Sequence, residues 1–521
     1  MHHGYPYENF YEMIEANAAS HPNKAVIFID DRRTTHAQFL KKVDAFARFL
    51  EDAGIVKGDR VALIAPNCEE FVITLFAASK LGAVPVPVNN MLKSAEFAYI
   101  LNDCKAKLLV TAKKFIHEVS GLRVKTAVNK TVWIDEAPKF SENDLLFESV
   151  THLPDPHKVH KYAPVALDDL AVIFYTSGTT GHPKGAMLSY RNIFSNLKAA
   201  KELFGIRPKD RFIVYLPMFH AFTFTVMTML PFYTNSSFVI IRNLMPFSNI
   251  LKQTLLKRVT VFLGVPDIYN ALIRADLPWY FRWFNSIRVF ISGASALSEE
   301  TIRRFEKVFT RASMLEGYGL SECSPAVACN SFTEHKVGSV GKPLPGYEVK
   351  VVDEELLELP RGEVGELIVR GECVMQGYLN APDATEETIV NGWLRTGDLA
   401  KIDDEGYIFI VDRMKDLIIS KGMNIYPREI EEVLAKYPEI RAAAVIGMND
   451  PHSGEVPVAY VELEDGVAES EFSQSDVKAA LKRELANFKI PKHIYVVDEL
   501  PKNAAGKVLK RVLKEQIKQE V

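Results

Sequence analysis

The sequence predicts an α/β protein: a large N-terminal domain of two helix-covered sheets plus a small antiparallel unit, followed by a small α+β C-terminal domain. Three observations carry this. Apolar strand-like runs alternate with amphipathic helical stretches from about Val61, the punctuation of parallel sheets covered by helices. Around Glu348 the texture changes to short strands and turns, and from Asp412 a compact mixture of strands and helices follows. At 521 residues the chain also exceeds what one core usually holds, so at least two domains are expected.

In order, VALIA at Val61 reads as a strand, then a helix from about Cys68, VPVPV at Val84, a helix from about Lys93 and KLLVT at Lys107. LAVIF, Leu170 to Phe174, reads as a buried strand, after which RFIVYLP, SFVIIR, VTVFLG and RVFISG continue the rhythm with helices between them. YEVKVVDEELLELPRGEVGELIVRG reads as a smaller antiparallel unit. LIISKG, a helix over about 427–437, AAAVIG, VPVAYVEL, a helix over about 476–487 and HIYVV complete the C-terminal domain. We expect domains at 1–411 and 412–521, with a hinge near 412–416, because DRMKD is charged and poorly periodic.

Bulk composition excludes several classes. The hydrophobic share of 48% and charged share of 25% are those of a folded globular protein. A net charge of −4 argues against nucleic acid as the main partner. Residues 478–518 carry eleven Lys or Arg against four Asp or Glu, an anion-binding face or simply a solvated helix surface. No apolar run is long enough for a transmembrane segment, and the N-terminus lacks the apolar core of a secretory signal. The five cysteines form no CxxC pair, so reduced thiols in a cytoplasmic protein are expected. His152, His157 and His160 sit in a Pro-rich connector that suits a solvated linker better than a metal site. Neither a Gly-x-Ser-x-Gly nucleophile motif nor a Gly-x-Gly-x-x-Gly dinucleotide motif is present.

The stretch YTSGTTGHPKG, Tyr175 to Gly185, directly follows the LAVIF strand. Thr176, Ser177, Thr179 and Thr180 offer hydroxyls, Gly178, Gly181 and Gly185 let backbone N–H groups turn inward, and Lys184 adds a mobile cation. Together these suit a polyphosphate, although the order of residues is not that of a Walker A loop. A plain polar turn between strand and helix is the alternative for this stretch taken alone.

Seven further motifs follow in order: LPMFHAF at Leu216, ISGASALS at Ile291, LEGYGLSE at Leu315, GELIVRG at Gly365, WLRTGDLA at Trp393, DRMKDLIISKGMNIYPREIE at Asp412 and LPKNAAGKVLKR at Leu500. With YTSGTTGHPKGAMLSYRN they resemble the signature of the adenylate-forming superfamily, in its acyl-CoA synthetase branch, over nearly the whole chain. The resemblance implies ATP, Mg²⁺ and coenzyme A as cofactor and cosubstrates, a carboxylic acid as substrate, and a small domain that is mobile.

By that resemblance, Thr176, Ser177, Gly178, Thr179, Thr180, Gly181 and Lys184 hold the β- and γ-phosphates. Ser321 contacts the α-phosphate, and Glu322, with Thr176, is a Mg²⁺ ligand, a hard oxygen donor for a hard ion. Gly293, Ala294 and Ser295 form one wall of an adenine slot and Glu316, Gly317, Tyr318 and Gly319 the other, with Tyr318 suited to stack on the base. Asp398 and Arg413 take the ribose hydroxyls. Lys507 bridges the substrate carboxylate and the α-phosphate as charge moves. Ala505 stands where relatives usually have Thr, leaving the glycine and lysine of that motif in place. Lys415 marks the hinge, and Gly422 leaves room for the pantetheine arm.

His220 stands where peptide-synthetase relatives place an Asp for an amino group, so an amino acid substrate is disfavoured. It gates the acyl pocket, contacts the carboxylate, or is a structural histidine; the sequence leaves these open. Phe222, Phe224, Val226 and Met227 suggest an apolar pocket, with Ala294, Gly319, Pro325 and Ala326 as walls, or a buried helix. The expected activity is AMP-forming fatty-acid–CoA ligation, for a medium- or long-chain acid. An aryl-acid CoA ligase is the alternative, and a luciferase-like oxygenase or a non-catalytic nucleotide binder more distant ones. Peripheral membrane contact and a homodimer stay open.

Overall fold

The computed structural model describes residues 4–136, 138, 143–151, 164–176, 182–242, 247–274, 277–293, 297, 299–421, 423–450, 453–503 and 506–520. Ser177, Gly178, Thr179, Thr180, Gly181, Ala294, Ser295, Gly422 and the three connector histidines lie outside the described residues.

The largest sheet has nine strands in the order Lys342–Pro343, Ala326–Cys329, Ser313–Gly319, Val289–Ser292, Val261–Gly264, Arg211–Val214, Ser237–Ile240, Ala25–Ile29 and Arg32–Thr35. From Ser313–Gly319 to Ala25–Ile29 the strands run parallel, with antiparallel strands at both edges. Its central members are buried on both faces, which is why their sequences are continuous apolar runs rather than alternating ones. A second, all-parallel sheet joins Val84–Pro87, Arg60–Ile64, Ala106–Thr111, Lys130–Trp133 and Asp144–Leu146. The helices expected near Cys68 and Lys93 are Glu69–Lys80 and Ser94–Asp103.

Leu170–Thr176 departs from the α/β rhythm. It pairs antiparallel with Lys184–Ser189, which pairs in turn with Gly377–Tyr378, so the next described element after this strand is a second strand rather than a helix. Alternation along the strand explains the unbroken apolar run: Val172 and Phe174 enter the core shared with the nine-stranded sheet, while Ile173 enters that of the second sheet. The helix comes after the second strand, as Tyr190–Leu203. Ser189 Oγ accepts from the Asn192 N–H at 3.2 Å and the Asn192 side chain accepts from the Ser189 N–H at 2.7 Å, a reciprocal cap that fixes the helix start.

AFTFTVMTMLPF is helical and buried, but Thr223–Met229 winds as a π-helix before Leu230–Tyr233 returns to α geometry. Such wide turns are rare and tend to occur at functional sites.

The antiparallel unit comprises Glu348–Val352, Gly365–Arg370, Trp393–Ile402, Ile389–Val390 and Ile408–Arg413. The strand Ile408–Arg413 runs on through Arg413, and a short 3₁₀ turn, Met414–Asp416, follows. Beyond it Ile418–Ser420, Met423–Ile425, Ile440–Asp450, Gly454–Leu463 and His493–Val496 form a five-stranded sheet with its own core of Ile418, Ile430, Leu434, Val445, Val461 and Leu481. The helices there, Pro427–Leu434 and Gln474–Glu484, end about a turn short of the expected spans.

The C-terminal segment lies against the large domain. Lys502 Nζ is 3.3 Å from Asp267 Oδ2, and Arg274 is 2.6 Å from Glu464. A Cβ at Gly506, beside Lys507, would come within 3.4 Å of that same Asp267 oxygen.

Candidate active site

Ligands of parallel α/β sheets bind beyond the carboxyl ends of the strands. Here those ends carry Gly264, Gly293 and Gly317–Tyr318–Gly319, the last residues of the strand Ser313–Gly319. Glycine at 319 is required by close approach: a Cβ there would lie 1.9 Å from the Pro325 carbonyl oxygen, because Ala326–Cys329 folds straight back on Ser313–Gly319. Gly293 faces the Phe222 ring, which a Cβ would meet at 3.4 Å, with the Gly317 carbonyl oxygen at 3.9 Å. Three motifs far apart in sequence therefore share one wall. Glu316 is buried beneath it, and its carbonyl accepts from the Asn330 N–H at 2.9 Å.

Asp398 is 6% exposed and stands across the ladder from Arg413, whose Nε lies 3.4 Å from Oδ1. Its other oxygen, Oδ2, accepts from the Tyr318 hydroxyl at 2.6 Å. Burial, then the adjacent carboxylate, push the Tyr318 phenol well up, so it remains a donor. Tyr318 thus holds Asp398 in place as well as presenting its ring.

A second cluster forms around Glu322, in the 3₁₀ turn Ser321–Cys323. Its Oε1 accepts from the Thr176 hydroxyl at 3.3 Å and from the Tyr378 hydroxyl at 3.0 Å. Lys184, directly across the ladder from Thr176, places its ammonium 5.4 Å from the centre of the Tyr378 ring. This is an oxygen-only donor set beside a cation. It fits Mg²⁺, which takes one or two protein oxygens and completes its shell with water and phosphate. Tyr378 is the residue that sequence reasoning missed. It lies 56 positions from Glu322 and its only local signal is an aromatic after Gly377.

Lys507 comes in from the C-terminal segment. Burial lowers its pKa to about 7, helped by the positive charges of Arg413 and Lys415 and opposed by Asp398 and Asp416. Lys507 therefore lies within electrostatic range of the Asp398–Arg413 pair. Its N–H donates to Asn503 Oδ1 at 2.9 Å, which fixes the turn that presents it.

His220 opens the buried helical segment. Its Nδ1 accepts from the Phe222 N–H at 3.3 Å and its carbonyl from the Phe224 N–H at 2.9 Å, so the neutral ring carries its proton on Nε2. Burial lowers its pKa, which favours that neutral form.

A half-buried lysine arriving from the C-terminal segment beside a buried carboxylate, with an oxygen cluster nearby, fits the chemistry of adenylate-forming enzymes. The chain belongs to the AMP-binding enzyme family, whose profile matches residues 14–379, and the AMP-binding enzyme C-terminal domain matches residues 429–507. Within that family it is an AMP-forming acid–CoA ligase that uses ATP, Mg²⁺ and CoA. A long-chain-fatty-acid–CoA ligase of Escherichia coli O6:H1 is 32% identical over 544 residues, covering 99% of this chain and 96% of that protein. A feruloyl-CoA synthase of Amycolatopsis sp is 34% identical over 478 residues, covering 91% and 92%. The crystal structure of the anthranilate CoA ligase AuaEII in complex with anthranoyl-AMP superposes with a TM-score of 0.91 at 27% identity, covering 99% of this chain and 98% of that one.

Proposed function

We propose that the acid is a medium- or long-chain fatty acid, converted with ATP to an acyl-adenylate and pyrophosphate and then transferred to the CoA thiol with release of AMP. The observation that carries this reading is the segment Ala221–Met229. It has no charged side chain, is buried apart from part of Phe222, and adjoins the nucleotide wall through the contact of Phe222 with Gly293. An alkyl chain entering from the adenylate would meet Phe222, Phe224, Val226 and Met227, and burying each methylene contributes about 0.8 kcal/mol. The relationship to long-chain ligases over 99% of the chain supports the same reading.

In this scheme Lys184 and Thr176, with Ser177 to Gly181, hold the β- and γ-phosphates, and Ser321 contacts the α-phosphate. Asp398 and Arg413 bind the ribose, and Tyr318 stacks on the base while its hydroxyl steadies Asp398. Lys507 donates to the carboxylate and α-phosphate oxygens as the new bond forms and pyrophosphate leaves. Glu322 and Thr176 would hold Mg²⁺, which when bound neutralises phosphate charge. His220, uncharged at the mouth of the apolar segment, orients the incoming carboxylate without placing a second charge there. We place the two domains at 1–411 and 412–521 and the hinge at Lys415, about which the small domain turns for thioester formation, bringing Gly422 to the pantetheine arm.

An aryl acid is the second reading, favoured by the feruloyl-CoA synthase relationship and by the flat Phe222 ring beside Gly293. Pyrophosphate release measured over a carboxylate panel from acetate to stearate, with benzoate and cinnamate, tests both. Highest kcat/KM on a straight chain of eight carbons or more supports the first; a preference for benzoate or cinnamate replaces it with the second.

A further inference from the structure

The crossover between the strands Val261–Gly264 and Val289–Ser292 includes a short helix, Trp279–Phe284, of sequence WYFRWF. Phe281 turns inward and is buried, whereas Trp279 is 68% exposed, Tyr280 48%, Trp283 62% and Phe284 70%. Scattered exposed aromatics are ordinary, but four on one six-residue helix form a patch. The Trp279 ring meets those of Tyr280 and Phe284 edge-on, with centroids 6.1 and 6.2 Å apart, so these three rings form one surface. The helix Ser248–Leu256 packs beside it and ends on Leu256, 63% exposed.

Basic residues accompany this patch. Arg282 projects from the same helix, and the Arg311 guanidinium lies 5.1 Å from the centre of the Trp283 ring and donates to the Trp283 carbonyl. Lys257 and Arg258 directly follow Leu256, and neither 248–266 nor 277–298 contains an Asp or Glu. Position matters as well. The helix leads into the amino end of Val289–Ser292, and Arg311 stands just before Ser313–Gly319, whereas the nucleotide wall is built at the carboxyl ends of these same strands.

We propose that this face docks on the headgroup layer of an anionic lipid bilayer. Trp and Tyr rings suit that layer because one end is apolar and the other wet, and the arginines meet lipid phosphates. Charge complementarity selects this occupant over a second copy of the chain, since a twofold contact would set these cations against one another. The helix lies in the interface and does not span it; among the described residues no helix is long and apolar enough to cross a membrane. Docking by the amino edge leaves the ATP side of the sheet facing solvent, whichever acid the enzyme uses.

The test is cosedimentation of the full-length protein with vesicles of phosphatidylcholine alone or mixed with phosphatidylglycerol. The protein is expected to partition onto the mixed vesicles, less so at high salt, with a blue shift of tryptophan emission. The double variant Trp279→Ser/Trp283→Ser is expected to lose about tenfold in partitioning, and Arg282→Glu to lose the preference for the anionic lipid. Unchanged thermal unfolding and unchanged pyrophosphate release without vesicles show that both variants are folded. The proposal is overturned by a wild type that stays in the supernatant with both vesicles, by a double variant that binds as well as wild type, or by substitutions that dissociate a dimer while leaving vesicle binding intact.

Discussion

Lys507 sits where a positive charge is costly, and that cost shapes how it works. Its pKa falls from 10.5 to about 7, so in this ligand-free arrangement the neutral amine prevails above that pH. In the proposed turn of the small domain the same lysine would return to solvent and to its ordinary value. Between the two values the docked state therefore binds fewer protons, and docking is penalised below about 7, strengthening as pH rises toward 10.5. Phosphates reverse the balance, so ATP binding within that window is expected to take up a proton. Calorimetry in buffers of differing ionisation enthalpy should show it in wild type and not in Lys507→Ala. The same variant should lose about 10²–10³-fold in adenylation. It should retain thioester formation from supplied acyl-adenylate; equal loss in both half-reactions would remove Lys507 from its assigned role. Tyr318→Phe deletes the donor to a buried carboxylate, and the KM for ATP should rise about tenfold, with kcat changed less. The partners themselves, Asp398 with Arg413 and Lys507 with its glycine, were readable as motifs. The Tyr318–Asp398 and Tyr378–Glu322 bonds were not, because nothing in the sequence relates residues so far apart.

At the scale of elements, burial decides what periodicity can show. The central strands of the nine-stranded sheet were legible as unbroken apolar runs because both their faces are covered. Leu170–Thr176 looks the same in sequence, yet it is an antiparallel strand between two cores, and the apolar pattern is blind to strand direction. The π turns of Thr223–Met229 were equally hidden, since a fully buried helix has no polar face to report its pitch. Glycine spacing was more informative. Gly319 marks the place where one strand folds onto the next, and Gly319→Ala would drive a methyl into the Pro325 carbonyl. Chemical denaturation should show a loss of about 2 kcal/mol, together with weakened nucleotide binding. Wild-type stability in that variant would mean that the backbone relaxes far more readily than this packing implies.

At the scale of the whole molecule, the C-terminal segment is held against the large domain by contacts of unequal weight. Arg274 and Glu464 meet at 2.6 Å but are 42% and 29% exposed, so the pair is largely screened. Arg274→Ala should change adenylation less than about fivefold, measured by pyrophosphate release; a much larger loss would make this surface pair a principal docking contact. The sequence by itself determined the α/β class and the adenylate-forming chemistry, because glycines, lysines and carboxylates in fixed local order carry their chemistry with them. Only the tertiary structure decided which of these residues meet. It set the Tyr318 hydroxyl on Asp398, set Thr176 and Tyr378 on one oxygen of Glu322, and laid Phe222 against Gly293. These are contacts between distant segments, fixed by how sheets and domains pack, and packing is a property of surfaces that no single stretch of chain contains.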